Sequence, residues 1–170
     1  LFAVLLINAL GGALGGIYNI FFLSHALLNF SYTEALFINQ VGVLVAVIIS
    51  SLTGNDYFGK QSLPRLMLWA TLGLSLVGLA NLFNQVVLGL LFLFLTLYVS
   101  GKVSPKISAM LMKNLAPEVL ARTSNFLGLL FTLSIPVGTA CFSLVAVWSM
   151  QLTWMLFVAL SLLAILLTAL

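Results

Sequence analysis

Long runs without charged residues constrain this chain more than any other feature. Six runs lack Asp, Glu, Lys and Arg, at 2–23, 35–52, 66–83, 86–99, 125–148 and 153–169. A helix that crosses a bilayer needs about 20 mostly apolar residues. The fourth run reaches that length when it is extended past Gly101 to about residue 112. Because the runs do not alternate apolar and polar residues as barrel strands do, the sequence predicts six transmembrane helices.

Composition supports a protein surrounded by lipid. Of the 170 residues, 63% are hydrophobic and 5% are charged, whereas soluble domains carry about 25% charged residues. The net charge of +3 is too small and too scattered to indicate a nucleic-acid partner. The single Cys141 excludes a disulfide framework. The chain opens on Leu1 inside an apolar run, so we interpret it as a fragment of a longer protein.

The basic residues predict an orientation. When the loops are assigned alternately to the two sides, all six bases lie towards one side, and the other side receives only His25 and Glu34. The positive-inside rule places the basic side in the cytoplasm. We therefore expect both termini in the cytoplasm, and localisation in a plasma membrane, that of the bacterial inner membrane.

Two helix starts are predicted from local motifs. Ser31 and Glu34 fit a capping box, in which each residue's side chain bonds the backbone N–H of the other. Proton coupling is the alternative role for Glu34. Pro117 suits the first turn of a helix, where Glu118 faces the positive end of the dipole and Arg122 at i+4 can pair with it.

Two further features each allow two interpretations. Gly11, Gly12, Gly15 and Gly16 form strips that favour close helix packing, or else they line a cavity or provide flexibility. Lys102 lies about 27 Å along the fourth span, where it is either an interface anchor or a lysine of a substrate cavity. Pro105, just beyond, predicts a kink.

Polar residues deep in the spans are few, and no acid is among them. Asn8, Asn19, Gln40 and Asn125 are candidates for lining a cavity, with hydrogen bonding between helices as the alternative. His25 lacks partners for a metal site or a catalytic triad, and no phosphate-binding loop occurs. We therefore expect no enzymatic activity, no cofactor and no metal.

The loop after the second span carries a recognisable motif. Asp56, Gly59 and Lys60 have the form D-x-x-G-[RK], with Gly54 before them and Arg65 after. This loop resembles the one that major facilitator transporters carry between helices two and three, with a second copy between helices eight and nine. The Gly54-to-Asp56 spacing is shorter than in the full motif. The segments Gly101–Arg122 and 134–138 are similar to the tenth and eleventh helices of that family, in particular of bacterial drug or macrolide exporters.

The resemblance implies a fold and a function. The fold would be an all-α, six-helix C-terminal half, residues 1–170, built from inverted three-helix repeats at about 1–83 and 84–170. It implies secondary transport of a small amphipathic solute by alternating access, as efflux, with an N-terminal half as partner. The loop of Gly54, Asp56, Gly59, Lys60 and Arg65 would be a cytoplasmic latch between the halves, or else a solvated turn. A homodimeric six-helix carrier and a non-transporting membrane subunit remain alternatives.

Overall fold

The computed structural model describes residues 2–24, 31–53 and 56–169, and in this part of the chain the regular structure is entirely helical. The predicted helical class is confirmed. The helices are α1 (Phe2–Ser24), α2 (Tyr32–Leu52), α3 (Leu63–Leu82), α4 (Val86–Ser100), α5 (Val103–Asn114), α6 (Pro117–Trp148) and α7 (Met150–Ala169).

Four helical segments are long and apolar enough to cross a membrane: Leu63–Leu82, Val86–Asn114, Val119–Trp148 and Met150–Ala169. The second of these is α4 continued by α5. Helices α1 and α2 contain shorter apolar stretches, Phe2–Tyr18 and Gln40–Leu52. These lengths indicate an integral membrane protein.

The fourth predicted span is interrupted, but not at the proline. Helix α4 ends at Ser100, Gly101 and Lys102 form a turn, and α5 starts at Val103. Pro105 lies in the first turn of α5, where a missing N–H has no helical partner to lose. A Cβ on Gly101 would lie 2.7 Å from the Ser50 hydroxyl oxygen, so glycine allows α2 to approach closely at the break.

Local chemistry explains the other helix ends. The Ser31–Glu34 capping box at the start of α2 is present, with the Ser31 N–H 2.8 Å from a Glu34 carboxylate oxygen. Helix α3 ends in a Schellman motif. Asn84 adopts a left-handed φ of 58°, and the Gln85 N–H donates to the Ala80 carbonyl at 2.8 Å. This turn joins α3 to α4 with two residues.

Helix α1 packs on α6 through small residues. A Cβ on Gly12 would lie 2.6 Å from the Ile135 carbonyl oxygen, and one on Gly138 would lie 2.0 Å from that of Ala9. The Thr139 hydroxyl donates to the Gly12 carbonyl at 2.8 Å. The close-packing interpretation thus holds for Gly12, and Gly16 meets Thr139 and Ser143 in the same way. No described atom lies within 4 Å of a Cβ built on Gly11 or Gly15.

The loops divide the bundle into two ends. We call the end with the α2–α3 and α5–α6 loops the basic end, because Lys60, Arg65 and Lys113 lie there. The opposite end is the neutral end. The main core lies towards the neutral end, where Tyr18, Trp154 and Phe157 are at most 1% exposed and Phe142 packs on Phe157.

Candidate functional site

A cavity of about 550 Å³ lies between α1, α3, α4, α5 and α6. Its wall follows the first part of α1, α3 and α6 and the last part of the α4–α5 span, so it occupies the basic half of the bundle. Pockets for small ligands are about 300–1,000 Å³. The volume is therefore sufficient for a small molecule.

The cavity wall is apolar with a limited set of neutral polar side chains. Aliphatic and aromatic residues of α1, α3 and α6 form most of it. The polar residues are Asn8, Thr96, Ser100, Ser104, Ser108 and Ser124. None of the described residues that line the cavity is charged.

The predicted cavity residues take different positions. Asn8 and Gly11 line the cavity. Gln40 and Asn125 do not, and both are exposed on the outside of the bundle. The side chain of Asn19 lies outside the described part of the structure. Sequence inspection missed the serines of α5, although their spacing of four residues was a visible signal.

A charged cluster joins the α2–α3 loop to the α4–α5 break. The Lys102 ammonium lies 3.1 Å from the Asp56 Oδ1. The Gly59 N–H donates to the same oxygen at 2.7 Å, and the Tyr98 hydroxyl donates to Oδ2. Tyr98 also bonds the Thr53 hydroxyl at 2.7 Å. We call Thr53, Asp56, Gly59, Tyr98 and Lys102 the loop clamp.

Lys102 is buried at 6% exposure, and its environment accounts for the charge. Its ammonium donates to the carbonyl oxygens of Ser50 at 3.1 Å and Thr53 at 2.6 Å, at the C-terminal end of α2. A cation there interacts favourably with the negative end of the helix dipole. The Tyr98 ring lies 4.7 Å from the ammonium. Lys102 therefore neither anchors the chain at an exposed interface nor lines the cavity.

The Asp56 carboxylate is ionised under ordinary conditions. Desolvation raises its pKa, but hydrogen bonds from Tyr98, the Gly59 N–H and Lys102, together with the Lys102 charge, outweigh that effect. The net result is a pKa below the usual value for aspartate.

The other predicted members of the latch loop lie outside this network. Lys60 and Arg65 are exposed, and within the described residues neither forms an ion pair. The backbone N–H acceptor role expected for Asp56 is present, whereas its cationic partner is Lys102. Lys106 donates to the Gln61 carbonyl and so ties α5 to the same loop. Gly54 lies outside the described residues, as does the Glu118 side chain, and Arg122 is exposed.

The sequence contained a weak signal for the loop clamp. Tyr98, Lys102 and Lys106 recur every four residues, which places them on one side of a helix. Forty-six positions separate Asp56 from Lys102, and no local rule joins residues so far apart. Comparison of the chain with protein-family models, with curated protein sequences and with solved structures finds no match.

Proposed function

We propose that this chain is one six-helix half of a secondary transporter that exports a small amphipathic solute by alternating access. The observation that carries the proposal is the cavity of about 550 Å³, which lies in the basic half of the bundle while the neutral end is filled by core. A site reachable from one side and blocked from the other is what alternating access requires.

The pairing of helices supports an inverted-repeat architecture. Helix α1 packs on α6, and α2 packs on α4, which are equivalent pairs if spans one to three exchange with spans four to six. Under the same exchange, the α3–α4 pair corresponds to α7–α1, and the α3–α7 pair corresponds to itself. This agreement favours repeats at about 1–83 and 84–170, and with them the resemblance to major facilitator transporters.

The loop clamp supports a moving cytoplasmic end. It holds the α2–α3 loop against the one interruption seen within the described spans, at Gly101 and Lys102. A break held by polar contacts can change its geometry without disrupting an apolar core. We propose that the clamp stabilises one closed arrangement of the transport cycle, in agreement with the latch that the resemblance implies.

The orientation can be tested by cysteine labelling in intact cells. In a Cys141→Ser background, single cysteines at Lys60, Lys113 and Gln85 would be treated with an impermeant thiol reagent. We expect labelling from outside at the Gln85 site only, because bases favour the cytoplasmic side. Labelling of the Lys113 site from outside would overturn the orientation.

Transport can be tested by reconstitution. The product of the intact gene and residues 1–170 alone would be placed in vesicles, and uptake of hydrophobic drugs measured with and without a pH gradient. We expect saturable uptake only from the intact product, because alternating access needs two halves. Saturable, gradient-dependent uptake by residues 1–170 alone would favour the homodimeric carrier. No uptake from either would favour a non-transporting subunit.

A further inference from the structure

Four hydroxyl groups form a line along one side of the α4–α5 span. Thr96, Ser100, Ser104 and Ser108 recur every four residues, and all line the cavity. Four helical residues advance about 6 Å. We call these residues the hydroxyl row. It crosses the break at Gly101 and Lys102, so both helices contribute to one wall.

Most of the hydroxyl row is available to a ligand. The Thr96 hydroxyl donates to the Phe92 carbonyl at 2.7 Å. Ser100, Ser104, Ser108 and, on α1, Asn8 make no side-chain hydrogen bond to any described residue. Helical hydroxyls in apolar surroundings usually bond a carbonyl one turn back, as Ser134 does at 2.8 Å. The serines of the row differ from that pattern where they face the cavity.

The positive charges of the same span are directed elsewhere. Lys102 and Lys106 alternate with the row in sequence, but both ammonium groups bond the segment at residues 50–61, and neither residue lines the cavity. An ion transferred into a cavity without a counter-charge loses its hydration without compensation, which costs several kcal/mol. The cavity therefore disfavours charged ligands of either sign.

The facing wall is hydrocarbon. Helix α6 contributes Leu127, Phe131 and Ile135 to the cavity. A molecule between the row and this wall would meet hydrogen-bonding groups along one edge and an apolar surface on the other.

We propose that the cavity binds an uncharged amphiphile whose hydrogen-bonding groups, spaced along one edge, meet the hydroxyl row and Asn8 while its hydrocarbon face packs on α6. The proposal rests on the proposed function and specifies the substrate class of the same cavity. Specificity comes from paired polar groups at one wall and from the exclusion of charge.

The test uses protection of a cysteine within the cavity. Gly128 lines the cavity, and no described atom lies within 4 Å of a Cβ built there, so Gly128→Cys fits. The variant would carry Cys141→Ser and be expressed from the intact gene into membranes. Its alkylation by N-ethylmaleimide would be timed with hexyl glucoside, hexyltrimethylammonium or hexyl sulfate present. Gly42→Cys, also without close neighbours but outside the cavity wall, serves as the control reporter.

We expect hexyl glucoside to slow alkylation at the Gly128 position in a saturable manner, and the two charged probes to leave the rate unchanged. Replacing both Ser104 and Ser108 by alanine should raise the half-protecting glucoside concentration about tenfold, the effect of losing two neutral hydrogen bonds. Ser134→Ala, whose hydroxyl is already bonded within α6, should have no effect.

Equal protection by a charged probe would overturn the claim that the cavity excludes charge. Unchanged glucoside protection in the double alanine variant would remove the hydroxyl row from recognition. Absence of protection by any probe would overturn the substrate class. Each of these results leaves the transport assay on reconstituted vesicles as the separate test of the proposed function.

Discussion

The two ends of the bundle are built in different ways. At the neutral end, Tyr18, Trp154 and Phe157 fill the space between helices, and the Asn81 amide donates to the Tyr18 hydroxyl at 2.7 Å. At the basic end, a cavity separates the helices, and contact between them depends on the ion pair of Asp56 and Lys102. Apolar packing resists rearrangement because cores are close-packed. The basic end, held by a few polar contacts, is the better place for movement.

The largest expected effect compares two glycines of α6. Gly138→Ala places a Cβ 2.0 Å from the Ala9 carbonyl oxygen, whereas Gly128→Ala meets nothing within 4 Å. We expect the first to destabilise the protein by about 3 kcal/mol, because the α1 backbone must shift. The second should cost less than about 0.5 kcal/mol. SDS-induced unfolding in mixed micelles measures both, and equal losses would contradict the contrast between packed and open regions.

The next effect concerns the charge that holds the basic end. Lys102→Met leaves Asp56 and the terminal carbonyls of α2 without their cation. We expect a loss of about 2 kcal/mol, below the value for a fully buried pair because the Asp56 side chain is 24% exposed. Lys60→Met, at an exposed residue without an ion pair among the described residues, is the matched control.

Adding Asp56→Asn to Lys102→Met should recover part of that loss, since no uncompensated carboxylate then remains. The coupling energy from the double-mutant cycle measures the contact itself. A coupling energy of zero would mean that the pair does not hold the basic end together. Asp56→Asn alone should lower transport while the amount of protein in the membrane stays nearly unchanged.

Acid should weaken the basic end selectively. The folded-state pKa of Asp56 lies below its usual value. The carboxylate therefore contributes stability above the unfolded pKa, near about 3.9, and loses it as pH falls through the lower folded pKa. The stability difference between the native protein and Asp56→Asn should stay constant from about pH 8 to 5 and shrink below about pH 4. A difference that grows in acid would reverse the assigned direction of the shift.

The smallest effect lies at the exposed start of α2, on the neutral end. Ser31→Ala removes the hydroxyl that accepts from the Glu34 N–H, and we expect a loss of about 1 kcal/mol. Thr33→Ala, at an exposed residue of the same turn, controls for helix propensity. Amide hydrogen exchange should show faster opening of the first turn of α2 only in the Ser31 variant. Faster exchange throughout the bundle would mean that the cap has more than a local role.

The sequence alone determined the features that depend on residues close together in the chain. Charge-free runs predicted the helices, because hydrophobic length reflects the thickness of the bilayer. The Ser31–Glu34 capping box was confirmed because its bonds span only three residues. The strip of Gly12 and Gly16 indicated close packing, although α6 could not be identified as its partner.

Only the tertiary structure decided which distant groups meet. It paired Asp56 with Lys102 instead of the nearby Lys60 or Arg65, because the turn at Gly101 brings α4 against the end of α2. It likewise placed Asn8 and the serines of α5 at one cavity, while Gln40 and Asn125 lie on the outer surface. Helical periodicity assigns each residue a side of its own helix. Which helix lies on that side depends on how all the helices pack together, and short-range patterns in the chain do not contain that information.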